Sequence, residues 1–243
     1  MNIDYTRYYS RFHLDTPEHL AAMRQHYEQL LAPCLPADRA APVLDVGCGM
    51  GFALDTLRAL GYTALTGVDT DPGQVAAARR LHLPAELVDD SRRWLEAHPA
   101  TFELILATDV IEHVPVPEQL AFVRALAAAL RPCGTLLCRV PNASSALAAH
   151  WRYSDWTHHN SFTTHSLDFL LHNGGFRDIR VMAGDVVRPP RWWWCRPNRA
   201  WCYWFAFLLF RRFRRWEMMA ELGPEEGRRV PLSLNLQGVA RKA

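Results

Sequence analysis

Four short stretches hold the residues best suited to chemistry. The first is Val43-Leu44-Asp45-Val46-Gly47-Cys48-Gly49-Met50-Gly51. Branched apolar residues around one acid lead into glycines at alternate positions. That is the pattern of a buried strand ending in a turn tight enough for its backbone to approach a ligand. The spacing is G-x-G-x-G, not the G-x-G-x-x-G of dinucleotide dehydrogenases. A helical pattern from Phe52 to Leu60 follows, so a helix N-terminus faces the same turn. The second stretch is Gly67-Val68-Asp69-Thr70-Asp71-Pro72. Asp69, at a strand tip, suits two ribose hydroxyls bonding to one carboxylate; the alternative is a plain turn residue. Asp71-Pro72 reads as a helix cap and first turn. In the third, Asp109-Val110-Ile111-Glu112-His113-Val114-Pro115, His113 either serves as a base or hydrogen-bonds locally. The fourth is Trp151-Arg152-Tyr153-Ser154-Asp155-Trp156-Thr157-His158-His159. His158 or His159 can act there as a general base near neutral pH, oriented by Asp155 or Tyr153. The alternative is that Asp155 and Thr157 cap turns while the histidines hold the loop.

The elements that must position these groups are legible in the periodicities. Strands are expected at Val43–Val46, Thr63–Val68, Ala85–Val88, Phe102–Thr108 and Thr135–Val140, separated by helical patterns at βαβ spacing. One of those helices, Pro117–Leu130, carries a stripe of Leu120, Phe122, Val123, Leu126 and Leu130, and Arg131-Pro132-Cys133-Gly134 should break it. A helix over Ser166–Asn173, a strand over Phe176–Met182 and a final strand over Val230–Arg241 complete the set, with a further helix at Pro17–Leu31. The expected fold is α/β and Rossmann-like: a seven-stranded, mostly parallel sheet with an antiparallel last strand and helices on both faces. One domain covers 1–243, with an N-terminal helical cap (1–41), a cofactor half (42–142) and an acceptor half (143–243).

With Asp45 two residues before Gly47, the first stretch resembles motif I of the class I S-adenosylmethionine-dependent methyltransferases. "DVIEHV" at 109–114 matches that family's segment after the fourth strand, and "LRPCGTLLCRVPN" at 130–142 resembles its fifth-strand segment. The resemblance implies S-adenosylmethionine as cofactor, bound by Asp45, Gly47, Cys48, Gly49, Gly51, Asp69 and Thr70. It further implies Asp90, or its neighbour Asp89, as acceptor for the adenine amino group, unless either merely caps the next helix. Asp109 would lie near the sulfonium. The block "RY.DwTHh.sFT..SL..lL...GF", with Tyr8–His13 and the Pro17–Leu31 helix, resembles methyltransferases of bacterial lipopolysaccharide and capsule biosynthesis. That implies O-methylation of a glycan or lipid-linked saccharide, with His158, His159, His113 and Asp155 as catalytic candidates. "DVIEHV" also resembles O-methyltransferases of quinone precursors. A carboxyl acceptor steered by Arg152 would need no base. A non-catalytic scaffold would need neither the glycines nor Asp69. Asp and His together suit a divalent metal, but nothing in the spacing demands one, and none is assigned.

The chain's 243 residues suffice for one domain with a substantial core. Its six cysteines form no C-x-x-C pair, which fits a reduced cytoplasmic compartment, and Met1–Leu14 is polar and aromatic rather than signal-like. The net charge of +2 conceals eight arginines and no acid between Asp185 and Glu217, so the remainder carries about −6. This basic segment belongs to an aromatic, Arg-rich insertion at 186–229 before the last strand. It contains Trp192-Trp193-Trp194 and the run Trp201–Phe210, which as a helix is about 15 Å long, too short for a hydrocarbon core of about 30 Å. Such a segment suits the inner face of the cytoplasmic membrane through 191–215, a homodimer or other protein interface, or a buried helix over the sheet edge. Nucleic acid is not expected, since no target-base motif of the Asn-Pro-Pro-Tyr kind is present.

Overall fold

The computed structural model describes residues 16–184 and 199–243. In chain order the elements are α1 (Pro17–Leu31), β1 (Val43–Val46), α2 (Phe52–Ala59), β2 (Leu65–Asp69), α3 (Pro72–Arg80), β3 (Ala85–Leu87) and α4 (Ser91–Glu96). There follow β4 (Phe102–Thr108), a 3₁₀ turn (Ile111–His113), α5 (Val116–Ala129), β5 (Leu130–Pro141), α6 (Ala148–Ser154) and α7 (Thr164–Asn173). The chain closes with β6 (Phe176–Ala183), α8 (Arg199–Leu222), α9 (Pro224–Arg229) and β7 (Asn235–Lys242). Tyr8–His13 and Trp192-Trp193-Trp194 lie outside the described residues.

The sheet has seven strands in the order β3-β2-β1-β4-β5-β7-β6. All neighbours from β3 to β5 are parallel, and β7 is antiparallel to both β5 and β6. The last strand therefore does more than flank β6: it inserts between β5 and β6. The order reverses between β1 and β4, and in open α/β sheets that crevice, beyond the carboxyl ends of the strands, is where ligands bind.

Alternation along the strands separates two cores. Leu44, Val46, Ile105, Leu136 and Cys138 pack with Phe122, Val123, Leu126 and Leu171 on one face. Val43, Leu104, Leu106 and Leu137 pack with Leu30, Leu31 and Leu57 on the other. Asp45 alternates with Leu44 and Val46, so it belongs to the second face, the one roofed by α1. Each fully buried leucine contributes about 1.5–3 kcal/mol through burial alone. An ion pair of Arg24 with Asp55 at 2.5 Å and the ring contact of His19 with Phe52 latch α1 onto α2.

Two expectations need correcting. The helix stops before Arg131–Gly134, but β5 begins at Leu130 rather than Thr135, with a bulge where pairing jumps from Phe102↔Leu130 to Leu104↔Thr135 and Cys133 at φ +62°. The last strand begins at Asn235 rather than Val230. Its approach, Pro231–Ser233, is held instead by Asn142, whose side-chain amide donates to the Pro231 and Ser233 carbonyls.

Candidate active site

The turn after β1 is built on left-handed backbone, with Gly47 at φ +67° and Gly49 at +53°. A Cβ on Gly47 would lie 2.5 Å from Val110 Cγ2, so only glycine lets this turn rest against the loop that follows β4. Two chemically rich segments thereby become neighbours. The Gly49 N–H donates to Asp69 Oδ2 and the Asp71 N–H to Asp69 Oδ1, both at 2.8 Å. Burial raises the Asp69 pKa and these two N–H groups oppose the rise. Asp71 caps α3 through Gln74 N–H, as its Asp-Pro pairing predicts. Cys48 sends its side chain into an apolar cluster with Leu54 and Val75, so only its backbone serves the turn, and Thr70 is exposed.

Asp45 is buried, and its Oδ1 accepts no hydrogen bond. Burial, reinforced by the charge of Asp69, pushes its pKa up to about 8. Gln74 Oε1 is a second buried acceptor without a partner, 2.7 Å from where a Gly49 Cβ would stand. Two orphaned acceptors beside a glycine turn, with a third carboxylate at the tip of β2, call for a ligand rich in donors and positive charge. Of the two acids after β3, Asp90 accepts from the Arg92 and Arg93 N–H groups as the cap of α4, while Asp89 is exposed.

Asp109, at φ +58° just past β4, is clamped by Arg139 of β5 through both carboxylate oxygens. Arg139 Nη1 in turn meets His26 Nε2 of α1 at 2.7 Å. The Asp109 charge is therefore offset inside the protein by Arg139. Tyr27, the next residue of α1, has its pKa pushed up to about 12 by burial, and it feels the charges of Arg139, Asp45 and Asp109. The N-terminal helix thus closes over the crevice between β1 and β4. Sequence reasoning missed His26, Tyr27 and Arg139, whose importance arises only from the packing of α1.

Beyond Asp109, the imidazoles of His113 and His158 meet edge to face, with centroids 4.7 Å apart. His113 Nδ1 is 2.8 Å from Thr157 Oγ1, and the Thr157 hydroxyl donates to Asp155 Oδ1 at 2.6 Å. His158 Nδ1 lies 3.1 Å from the Trp151 carbonyl, and its Nε2 is 4.0 Å from Asp155 Oδ2. Asp155 therefore orients His113 through Thr157 and reaches His158 only as a nearby charge. Burial lowers the pKa of both rings, that of His113 to about 4, so both are neutral near pH 7. Glu112, fully buried, accepts no hydrogen bond from any neighbour at either carboxylate oxygen, and its pKa is raised by burial and by Asp109.

His159 stands outside this cluster. Its side chain is exposed, while its N–H donates to the Glu112 carbonyl and its carbonyl accepts from Arg152. Arg152 is thus engaged in holding the loop, and Tyr153 is exposed rather than orienting an imidazole. Gln119, buried on α5, donates to the Ile111 and Val114 carbonyls and pairs with Asn160, which locks the 3₁₀ turn to the acceptor loop. The Glu112-His113 dipeptide within "DVIEHV" was the available signal for Glu112.

A seven-stranded sheet of this order, with a glycine turn, buried carboxylates at its switch point and a histidine cluster on the same edge, defines a nucleotide-cofactor enzyme of the methyltransferase class. The sequence profile of a methyltransferase domain matches residues 19–181, and the chain belongs to that family. A ubiquinone biosynthesis O-methyltransferase of Xanthomonas campestris pv. campestris is 35% identical over 114 residues, covering 45% of this chain and 46% of that protein. The chain thus spans about half the length of the curated relatives it matches. Among solved structures, an S-adenosylmethionine-dependent methyltransferase from Archaeoglobus fulgidus superposes with TM-score 0.67 at 16% identity, over 92% of this chain and 94% of that one. A Haemonchus contortus phosphoethanolamine N-methyltransferase 2, solved with S-adenosyl-L-methionine, gives TM-score 0.56 at 18% identity, over 93% and 57%. The cofactor of this family is S-adenosylmethionine. The orphaned acceptors Asp45 Oδ1 and Gln74 Oε1, with Asp69 at the strand tip, fit its ammonium and hydroxyl donors.

Proposed function

We propose that this chain methylates a hydroxyl of a glycan or lipid-linked saccharide, working at the inner face of the cytoplasmic membrane. Bound S-adenosylmethionine supplies an electrophilic methyl group. Asp45 and Asp69 hold the cofactor's ammonium and ribose, and the turn at Gly47–Gly51 gives its backbone close approach. His158, neutral and half-buried, takes the proton of the acceptor hydroxyl, because an alcohol is a poor nucleophile while protonated. His113 shapes the same pocket through Thr157 and Asp155. The observation that carries this reading is the convergence of two neutral imidazoles next to the glycine turn, joined to it through the Val110–Gly47 contact. Exposed Trp156 and Tyr153, on the same loop as His158, offer aromatic faces that suit a sugar ring.

A second reading, O-methylation of a quinone precursor, is favoured by the activity named for the Xanthomonas relative. It would use the same base on a more acidic phenolic hydroxyl. The test is transfer of labelled methyl from S-adenosylmethionine to nucleotide sugars, lipid-linked saccharides and catechol-type quinone precursors in parallel. Labelling of a saccharide alone supports the first reading, and labelling of the catechol alone replaces it with the second. Absence of both transfer and cofactor binding would leave a scaffold.

Membrane association belongs to the same proposal. No described helix is long and apolar enough to cross a membrane. Helix α8 buries none of its residues and exposes Tyr203, Phe205, Leu209, Phe210 and Phe213 beside Arg211 and Arg212, which disfavours a core role and suits a lipid–water boundary. A homodimer interface is the competing use of this surface.

A further inference from the structure

We infer that Glu112, His113 and His158 form a binding site for one divalent transition-metal ion, of the Zn²⁺ or Co²⁺ type. One ligand atom from each of the three lies within 4.8 Å of those of the other two. An ion at about 2.0–2.2 Å from each ligand holds them roughly 3.4 Å apart, so modest side-chain rotations close the site. Two imidazoles and one carboxylate are a donor set for borderline first-row divalent ions rather than for calcium or magnesium.

Three further observations point to an ion rather than to ordinary packing. First, Glu112 is completely buried and neither carboxylate oxygen accepts a hydrogen bond from a neighbour. A buried, unpartnered carboxylate is costly, and a cation removes that cost. Protonation would settle Glu112 alone, but would not explain why two imidazoles converge on it. Second, each ring engages Nδ1 away from the cluster, His113 with Thr157 Oγ1 and His158 with the Trp151 carbonyl. This is the outer hydrogen bonding that fixes the tautomer of a metal-bound histidine and directs Nε2 to the ion. Third, the His113–Thr157–Asp155 chain ends in a buried carboxylate, with Asp155 Oδ2 4.0 Å from His158 Nε2, which balances charge around a dication.

The binding claim stands apart from the methyl-transfer reading; only the ion's use rests on it. With an ion present, His158 would serve as a ligand instead of the proton acceptor, and the ion would supply Lewis-acid lowering of the acceptor hydroxyl's pKa, its proton passing to solvent water.

The experiment uses tag-free full-length protein, stripped with a chelator and titrated with Zn²⁺ by calorimetry and with Co²⁺ by visible absorption. The expected result is one ion per chain with micromolar or tighter affinity, together with ligand-field bands of bound Co²⁺. His158→Ala and Glu112→Gln should each weaken binding at least tenfold, Thr157→Val more mildly, and His165→Ala, on an exposed ring paired with Glu226, not at all. Circular dichroism identifies any variant that fails to fold, and the wild-type cobalt spectrum carries the proposal without the variants. No stoichiometric binding by wild type, or binding unaffected by His158→Ala, overturns it. S-adenosylhomocysteine affinity of the stripped protein, measured alongside, separates loss of the metal site from loss of the cofactor site.

Discussion

Replacing Asp45 by Asn should stabilise the cofactor-free protein at pH 8 while weakening cofactor binding. Burial and the neighbouring Asp69 raise the Asp45 pKa from 3.8 to about 8. An acid with a raised folded pKa holds its proton in the native state after the unfolded state has released it. Stability therefore falls as pH rises from about 4 to about 8, and is flat on either side. At about 1.4 kcal/mol for each tenfold change in proton affinity, the ceiling on this loss is about 6 kcal/mol. Local relaxation and water entry reduce it, and about 2–3 kcal/mol is the expected measured difference. Asn keeps the shape and has no charge to bury, so the variant should unfold with little of this pH dependence. In a domain of this size, that difference corresponds to a Tm gap of about 4–12 °C at pH 8, shrinking towards zero near pH 4. The assay is thermal unfolding of both proteins across pH 4–9, with calorimetric titration of S-adenosylhomocysteine at pH 8. Affinity should fall at least tenfold in the variant, because the carboxylate that receives the ammonium is gone. Equal Tm at pH 8, or unchanged affinity, would refute the placement of a strained carboxylate at the cofactor site.

Other outcomes follow from the same geometry. Gly49→Val places a β-branched residue at φ +53° with its Cβ 2.7 Å from Gln74 Oε1, so a loss of about 2 kcal/mol in stability and at least tenfold in S-adenosylhomocysteine affinity is expected; unchanged affinity means the turn does not touch the cofactor. His158→Ala should lower kcat by about 10²-fold or more with cofactor affinity intact, since general-base groups typically contribute 10²–10⁴-fold; a loss confined to KM would make it a binding residue. The neutral imidazole is the base form and burial lowers the pKa of His158, so the acidic limb of the metal-free pH–rate profile should lie below pH 6.5; a limb at or above 6.5 contradicts the burial. Flotation with anionic liposomes should be lost on changing Phe210 and Phe213 to Ser, residues that are exposed on α8; equal flotation, or self-association lost instead, shifts that surface to a protein interface.

How much of this was legible in the sequence depended on whether a signal was local. The glycine turn, the strand alternation of Val43–Val46 and the Asp71-Pro72 cap are written in adjacent residues, and their structure follows from backbone sterics and period. The start of β7 was misjudged because Val230–Leu234 has strand composition, yet Asn142 pins that stretch outside the sheet. No local pattern reports an amide ninety residues away. Asp90 illustrates the limit in another form: a carboxylate before a helix serves equally as cap or ligand, and here the cap is occupied.

The residues of the candidate site stand out by type, but their partners are set by the fold and not by local spacing. Asp155 sits four residues from His159 and three from His158, which suggests a direct Asp–His pair. The fold routes that carboxylate through Thr157 to His113, a residue of a different strand's exit, forty-four positions earlier in the chain. Asp109, taken alone, is an exposed acid waiting for a cation; β5 supplies Arg139 to hold it, and α1 supplies His26 to hold Arg139. Both rearrangements have the same physical source. Each of these charges is partly removed from water, and a partly buried charge is stabilised only where another element brings a partner. Among the described residues, Asp45 and Glu112 are buried carboxylates left with an unpartnered oxygen, and Glu112 is the one beside His113 and His158. Applied to Glu112, the same logic leaves a proton or a cation to settle the buried carboxylate, and the imidazoles of His113 and His158, each with a ligand atom within 4.8 Å, favour the cation we infer.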